Sequence, residues 1–479
     1  MKLRDLITGA DVTGTRGDIA VEISDLAYDS RRVGPGTLFF CVPGEKADGH
    51  EFAAAAVEAG AAGLVVEREL ELDVPQVVIA DARASMAPLA ARFWGDPTAE
   101  LGVVGVTGTN GKTTTAFLIR EVLEAAGVQC GLLGTVTQVV AGVEEEVERT
   151  TPEAIDLQAT FRRMLDGGDQ ACVMEVSSHA LELHRASSIH FEVALFTNLS
   201  QDHLDFHGDM ESYFQSKRKL FAMGPKAGIV NADDPYGARL ASEFDTFTFS
   251  TEGGEADFNG EGIRFDARGA RFTVVAPWGK TEVRTALPGE FNVSNALAAF
   301  ATAVSLGIPS EATASALAEA ERVPGRFEPI DEGQPFAVLV DYAHTPDSLE
   351  NVLRAARRIT EGRVIAVFGA GGDRDRDKRP KMGRAAAELA DLAVVTSDNP
   401  RSEQPDAIIA EVLAGIDERG GVEVEPDRRA AIVLALARAQ PGDTVVIAGK
   451  GHEQGQEFEN GRKVPFDDRA VAREELRKL

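Results

Sequence analysis

The stretch VVGVTGTNGKTTTAFLIREVLEAAG, residues 103–127, constrains the fold more than any other. It opens with apolar Val103, Val104 and Val106, passes through a run of Gly and Thr, and closes with Phe117, Leu118, Ile119, Val122 and Leu123 at helical spacing. That order predicts a strand, a glycine loop and a helix. A helix that starts at such a loop aims free N–H groups and the positive end of its dipole into the turn, so an anion is the natural guest. Gly108 and Gly111 let the backbone approach closely, Lys112 reaches terminal phosphates, and the Thr113 hydroxyl is placed for Mg²⁺. The loop departs from G-x-x-x-x-G-K-[ST] at its first position, where Val106 stands, and is tighter than that pattern.

A length of 479 residues suggests about three domains. The chain carries 77 acidic against 49 basic residues, a net charge of −28, which opposes non-specific nucleic-acid binding. Anionic substrates must then be held by local positive sites. Cys41, Cys130 and Cys172 are widely spaced and show no metal pattern, as expected of buried thiols in a reducing compartment. MKLRDLITGADV has no long apolar run before a cleavage site, and no stretch reaches the roughly 18 apolar residues of a membrane span. We expect a cytoplasmic chain without membrane or nucleic-acid partners.

Three blocks follow along the chain. Residues 1–99 alternate short strands (TLFFCVPG, AAGLVVE, PQVVIA) with Ala-rich helices such as EFAAAAVEAG, and break at Gly95-Asp96-Pro97. Residues 100–327 carry VVGVTG, ACVMEVSS, VALFTNLS and AGIVNADD, which suggest a parallel sheet; a polar stretch over 250–285 reads as an antiparallel insert. Residues 328–479, past a hinge at Pro324-Gly325, carry FAVLVDYAH, VIAVFGAGGD, LAVVTSDNP and DTVVIAGKGHE. That is a second doubly wound sheet, whose ligand loops are those four polar endings.

Glu175 follows a strand; beside the phosphate-loop strand it completes a Mg²⁺ site with Thr113, and otherwise it caps the next helix. His203 lies in a loop rich in carboxylates and amides, fit either for a metal or for structural hydrogen bonds. Lys217 is a surface lysine or, if desolvated near a metal, an amine that takes up CO₂ as a carbamate. FGAGGDRDRDKRP fails the dinucleotide pattern at Arg374 and reads as an anion-recognition loop. In Asp398-Asn399-Pro400-Arg401 the proline sets the turn and Arg401 can grip a carboxylate; near Gly449, Glu453 can receive an ammonium. Arg for carboxylate and Glu for amine make an amino-acid site.

GTNGKTTT, EVSSHAL, TNLSQDHLDFHGDMESYFQSKRKLF, LPGEFNVSNALAA, PGRFE, DYAHTPDSLENVL, GGDRDRDKRPKMG, DNPR and GKGHE, in this order, resemble the Mur ligases of peptidoglycan synthesis. The resemblance implies an α/β chain of three domains: an N-terminal α/β UDP-binding domain, a central parallel-sheet P-loop ATPase domain and a C-terminal Rossmann-like domain, over the blocks above. It implies ATP on Gly108, Thr109, Asn110, Gly111, Lys112, Thr113 and Thr114, with Asn292, Asn295, Arg326 and His344 as further contacts. It aligns Ser30 and Glu45-Lys46-Ala47 with the UDP end of UDP-MurNAc-L-Ala-D-Glu, and Thr150, Thr151, Ser177 and Arg185 with the rest of that substrate. One position departs: relatives often carry Gln where this chain has Leu183.

The DNPR motif marks relatives that add meso-diaminopimelate, so Arg374, Asp398, Asn399, Pro400, Arg401, Gly449 and Glu453 are implied to hold that amino acid. An Arg facing its far carboxylate is worth roughly 2–3 kcal/mol. The implied reaction is amide-bond formation through an acyl phosphate, catalysed by Lys112, Glu175, His203 and Lys217. One Mg²⁺ sits on Thr113 and Glu175 and a second on His203 and carbamylated Lys217. A monomer is expected. The rival readings are a lysine-adding ligase and a non-catalytic nucleotide-dependent scaffold.

Overall fold

The computed structural model describes residues 1–44, 47–147, 149–266, 268–417 and 421–479, and it is α/β throughout. The chain folds as two compact units. The first is Met1–Gly105 with Gly127–Ala194 and Ser216–Lys226; the second is Val106–Ala126 with Leu195–Gln215 and Ala227–Leu479. Residues 100–327 therefore divide between them.

In the first unit five strands form a sheet in the order Val12–Arg16, Gln76–Ile79, Gly63–Val66, Thr37–Phe40, Asp25–Ala27. Only the first pair is antiparallel. Alternation along these strands feeds two cores. Leu38, Phe40, Val65 and Val77 pack with Leu3, Leu6, Met86 and Leu89, whereas Phe39, Leu64 and Val66 pack with Ala53 and Ala56. At the expected break, Asp96 turns left-handed (φ 51°) and Pro97 opens a short helical turn. The same unit holds the parallel pair Cys130–Leu133 and Ala171–Glu175, extended by the antiparallel strands Gln138–Val140 and Val143–Glu145. In sheet order, Ala171–Glu175 neighbours the phosphate-loop strand, Gly102–Thr107.

In the second unit the glycine loop leads into the helix Lys112–Ala125, which buries Leu118, Ile119, Val122 and Leu123 along one stripe. Strands Ala227–Asn231 and Phe247–Ser250 are parallel. The stretch read as an antiparallel insert contains a meander of Phe258–Asp266, Gly269–Ala276 and Gly279–Thr285.

The last sheet has the order Glu328–Pro329, Ala337–Asp341, Thr444–Ala448, Val364–Phe368, Leu392–Val395, Val422–Val424, parallel beyond its first pair. Ala366 and Phe368 enter one core, Ile365 and Val367 the other, as a sheet covered on both faces requires. The final strand, Thr444–Ala448, inserts between the first two of the four apolar runs. Their polar endings thereby lie side by side at the carboxyl edge, where such sheets bind ligands.

Candidate active site

The glycine loop explains its own glycines. Gly108 and Gly111 have φ of 146° and 85°, which L side chains rarely adopt. A Cβ on Gly111 would also run into Asn295 Oδ1, and one on Gly108 into Thr197 Oγ1. The facing loop locks the turn. Thr109 N–H donates to Asn198 O (2.8 Å), Asn110 N–H to Asn198 Oδ1 (2.9 Å), and Thr197 Oγ1 to Asn110 O (2.6 Å). Lys112 Nζ curls back over the loop and donates to Gly108 O (3.0 Å) and Thr109 O (2.8 Å).

The expected further contacts collect around the same turn. Asn295 Oδ1 accepts from Thr115 Oγ1 (3.3 Å), and Asn295 Nδ2 donates to Asn292 Oδ1 (3.2 Å). Arg326 Nη2 donates to the Thr113 hydroxyl (2.9 Å), while its guanidinium lies 4.5 Å over the Tyr342 ring. Thr114 is buried. Asp347, which sequence reasoning missed, accepts from Asn110 Nδ2 (2.7 Å) and Ser200 Oγ (3.1 Å). Its signal was present: Thr345-Pro346 opens the helix Pro346–Ile359 with a capping box closed by Ser348, which puts Asp347 in the first turn.

At the carboxyl edge of the last sheet a cavity of about 210 Å³ gathers Arg374, Asp398, Asn399, Arg401, Gly449 and Glu453, six of the seven residues expected for the amino acid, together with His203 and His344. Pro400 is not in the wall; it precedes Arg401, whose backbone is left-handed (φ 49°). Lys450 was not foreseen. It is sealed from solvent and donates to Asn399 Oδ1 (2.8 Å) and Glu453 Oε2 (2.8 Å), while Asn399 Nδ2 donates to the same Glu453 oxygen (2.9 Å). Glu453 thus already holds an ammonium of the protein's own. Asp398 Oδ2, by contrast, is buried without a hydrogen-bond partner among the described residues. Burial alone would raise the Asp398 carboxyl, but the Lys450 and Arg428 charges hold it below its ordinary range.

Asp202, also unforeseen, faces His203 Nε2 (3.3 Å) and His344 Nε2 (4.0 Å) in the same wall. Burial would raise its carboxyl, yet the His203, His344 and Lys378 charges bring it down to about 2. His344 Nδ1 donates to Tyr342 O (2.8 Å), so in the neutral ring Nε2 is the nitrogen without a proton. Burial and the Lys378 charge lower the His344 imidazole from its ordinary value.

In the first unit Glu175 ends its strand at 1% exposure. Thr135 N–H (2.7 Å) and Thr135 Oγ1 (3.1 Å) donate to its two oxygens. A carboxylate fixed in this way is a hard oxygen donor of the kind that suits Mg²⁺. Lys217, in the helix Met210–Ala222, is likewise 1% exposed, so its surface reading is set aside. Thr151 Oγ1 donates to Glu175 O (2.9 Å) and accepts from Ser177 N–H (3.1 Å), while Ser177 caps the next helix. Thr150 Oγ1 meets Thr135 Oγ1 (3.0 Å). Arg185 pairs with buried Glu153 (2.9 Å), which also takes Arg149 (2.7 Å). Ser30 begins a short helical turn capped by Asp29, and Ala47 O accepts from Gly44 N–H. Glu45 and Lys46 lie outside the described residues.

Residues 22–93 match the family model of the Mur ligase catalytic domain, 106–303 that of the Mur ligase middle domain, and 325–451 that of the Mur ligase glutamate ligase domain. A relative from Gloeobacter violaceus, named UDP-N-acetylmuramoyl-L-alanyl-D-glutamate–2,6-diaminopimelate ligase, is 48% identical over 487 residues, covering 100% of this chain and 98% of its own length. A solved structure of a ligase with that same name is 32% identical, with a TM-score of 0.70 over 100% of this chain and 99% of its own. MurF from Thermotoga maritima in complex with ADP shares the fold at 20% identity, with a TM-score of 0.66 over 97% of this chain and 98% of its own. With three family models in chain order and a relative matched over its full length, the chain belongs to the Mur ligase family.

Proposed function

We propose that the chain joins an amine of meso-2,6-diaminopimelate to the D-glutamyl carboxylate of UDP-N-acetylmuramoyl-L-alanyl-D-glutamate, consuming ATP, as a cytoplasmic monomer of peptidoglycan precursor synthesis. The observation that carries this reading is the cavity in which Arg401, Asp398, Asn399 and Glu453 converge. It offers a guanidinium for a carboxylate and a carboxylate oxygen, on Asp398, for an ammonium. The ligase named for this reaction, at 48% identity, supports it as well. The functional blocks are residues 1–99 for the UDP end, 100–327 for ATP and 328–479 for the amino acid.

The glycine loop and the first turn of the helix Lys112–Ala125 receive the ATP phosphates. Lys112 leaves the two loop carbonyls for phosphate oxygens, and Arg326 leaves Thr113 for the nucleotide. Ser30, Glu45, Lys46, Ala47, Thr150, Thr151, Ser177 and Arg185 hold the nucleotide-sugar dipeptide. Mg²⁺, when bound, neutralises phosphate and carboxylate oxygens; Thr113 and Glu175 would hold one ion, His203 and carbamylated Lys217 a second. Two anions repel each other, so Lys112 must offset their charge before the γ-phosphoryl group passes to the D-glutamyl carboxylate. The amine then attacks the acyl phosphate and expels phosphate. No side chain acts as nucleophile.

The test is ATP-dependent phosphate release with UDP-MurNAc-L-Ala-D-Glu and a panel of amino acids. Strong turnover with meso-diaminopimelate and little with L-lysine is expected. Arg401→Ala should remove roughly 2–3 kcal/mol of that preference, about 30- to 150-fold in kcat/KM. A wild-type enzyme indifferent to the far carboxylate refutes the assignment.

A further inference from the structure

We propose that Glu457 is the positioning residue for Arg401, and so sets how strongly a far carboxylate on the incoming amino acid is recognised; this rests on the assignment of Arg401 above. Glu457 closes the first strand of the hairpin Gly455–Glu457 with Lys463–Pro465, just past the GKGHE motif. Three bonds tie it to the DNPR turn. Its carboxylate Oε2 accepts from Arg401 Nε at 3.0 Å. Its backbone carbonyl accepts from Arg401 N–H at 3.1 Å, and its own N–H donates to Asn399 Oδ1 at 2.9 Å. The backbone bond fastens Arg401 where its φ is 49°, a region that side chains with a Cβ avoid unless their surroundings hold them there.

On the guanidinium the consequence is geometric. Arg401 Nη1 donates to Gly372 O at 2.8 Å, so Nε and Nη1 are fixed by two acceptors from different segments of the chain. Two fixed nitrogens set the plane of a rigid fork, and the donors left over are then aimed before any ligand arrives. An arginine without this hold must lose its rotamer freedom on binding. Glu457 also meets Arg401 through Nε, so the two partners do not form the parallel double bond that would use up the fork. Asn399 Oδ1 accepts from Lys450 Nζ as well as from the Glu457 N–H, so the lysine and the hairpin hold the turn through one side-chain oxygen.

Steady-state kinetics with meso-diaminopimelate and L-lysine on the full chain test this. Glu457→Ala should raise the meso-diaminopimelate KM about tenfold, with the L-lysine and ATP KM values staying put. Glu457→Gln keeps an acceptor for Nε and should restore the KM to within about twofold of wild type. In Arg401→Ala, adding Glu457→Ala should cost nothing more, because the glutamate acts through the arginine. Equal KM rises for both amino acids, a Gln variant as impaired as Ala, or additive losses in the double variant would overturn the proposal while leaving Arg401 in its role. An Arg401→Ala enzyme that keeps its preference overturns the role of Arg401 and this proposal with it.

Discussion

Asp468→Asn is expected to destabilise the second unit by about 3–5 kcal/mol, although the residue touches no ligand. Arg428 and Asp468 are both fully sealed from solvent. Nε and Nη2 of Arg428 donate to the two carboxylate oxygens at 2.8 and 2.6 Å, a bidentate pair in the interior. Nη2 also donates to Ala448 O (3.0 Å) and Nη1 to Ser397 O (3.4 Å). Those carbonyls immediately precede Gly449 and Asp398, so one guanidinium ties together two of the strand endings beneath the cavity. With asparagine at 468, the buried cation loses its bidentate carboxylate and keeps Asp398 Oδ2, 3.9 Å away, and the more distant Glu453 charge. Arg428→Met is worse placed still, since it strands a buried anion and frees both carbonyls. The double variant Arg428→Met/Asp468→Leu removes both members of the pair; it leaves the two carbonyls unpaired, at about 1–3 kcal/mol each, and Asp398 without the Arg428 charge but still beside that of Lys450. Urea unfolding followed by far-ultraviolet circular dichroism measures all three. The reasoning predicts that the double variant is more stable than Arg428→Met. An Asp468→Asn midpoint equal to wild type, or a double variant below both single ones, refutes it.

Two further perturbations have signs the structure decides. Burial pushes the Asp341 carboxyl up from 3.8 to about 6, against the opposing Arg326 charge and the 2.7 Å bond from Phe327 N–H. The folded chain therefore binds this proton more tightly than the unfolded one, and the stability it lends is present below about pH 4 and lost as pH rises through about 6. Roughly 3 kcal/mol is at stake in all, and Asp341→Asn should flatten the fall in the unfolding free energy from urea titrations between pH 4.5 and 7 by about 2 kcal/mol. Gly111→Ala places a side chain at φ 85° against Asn295, costing about 1–2 kcal/mol in backbone strain alone, and should abolish ADP binding in a calorimetric titration. A variant that binds ADP as wild type does would show that the turn tolerates a Cβ.

Much of the candidate site was legible because its parts are local. The glycine loop needs only a strand, two glycines with positive φ and a helix in order, and Gly108, Gly111 and Lys112–Ala125 supply them within one stretch. The apolar runs of the last block announced themselves by being apolar on both faces, and the structure divides Ile365 and Val367 from Ala366 and Phe368 accordingly. Their endings were legible as the lining of a cavity because a parallel sheet opens at its carboxyl edge. What periodicity could not say was the strand order. The insertion of Thr444–Ala448 between Ala337–Asp341 and Val364–Phe368 brings Gly449, Lys450 and Glu453 next to the endings that carry His344 and Arg374.

Two of the residues missed take their role from a partner far away in sequence. Asp347 meets Asn110 across 237 positions, and Glu457 meets Arg401 across 56. Nothing in the local composition of FENGRK or EQGQE separates a hairpin that braces an arginine from a solvated turn. Lys450 lies within GKGHE, where a lysine between two glycines reads as exposed. The opposite inference was available: Gly449 sits against Asp398 Oδ2 and Gly451 against the backbone of Gly325, contacts that leave no room for a Cβ. Glycines on both sides of a lysine at the end of a buried strand signal close packing, and a lysine packed there must bring its counter-ion with it. Glu453, three residues on, is that counter-ion. Asp398 Oδ2 is therefore the carboxylate oxygen without a hydrogen bond among the described residues, whereas Glu453 is engaged by Lys450 and Asn399.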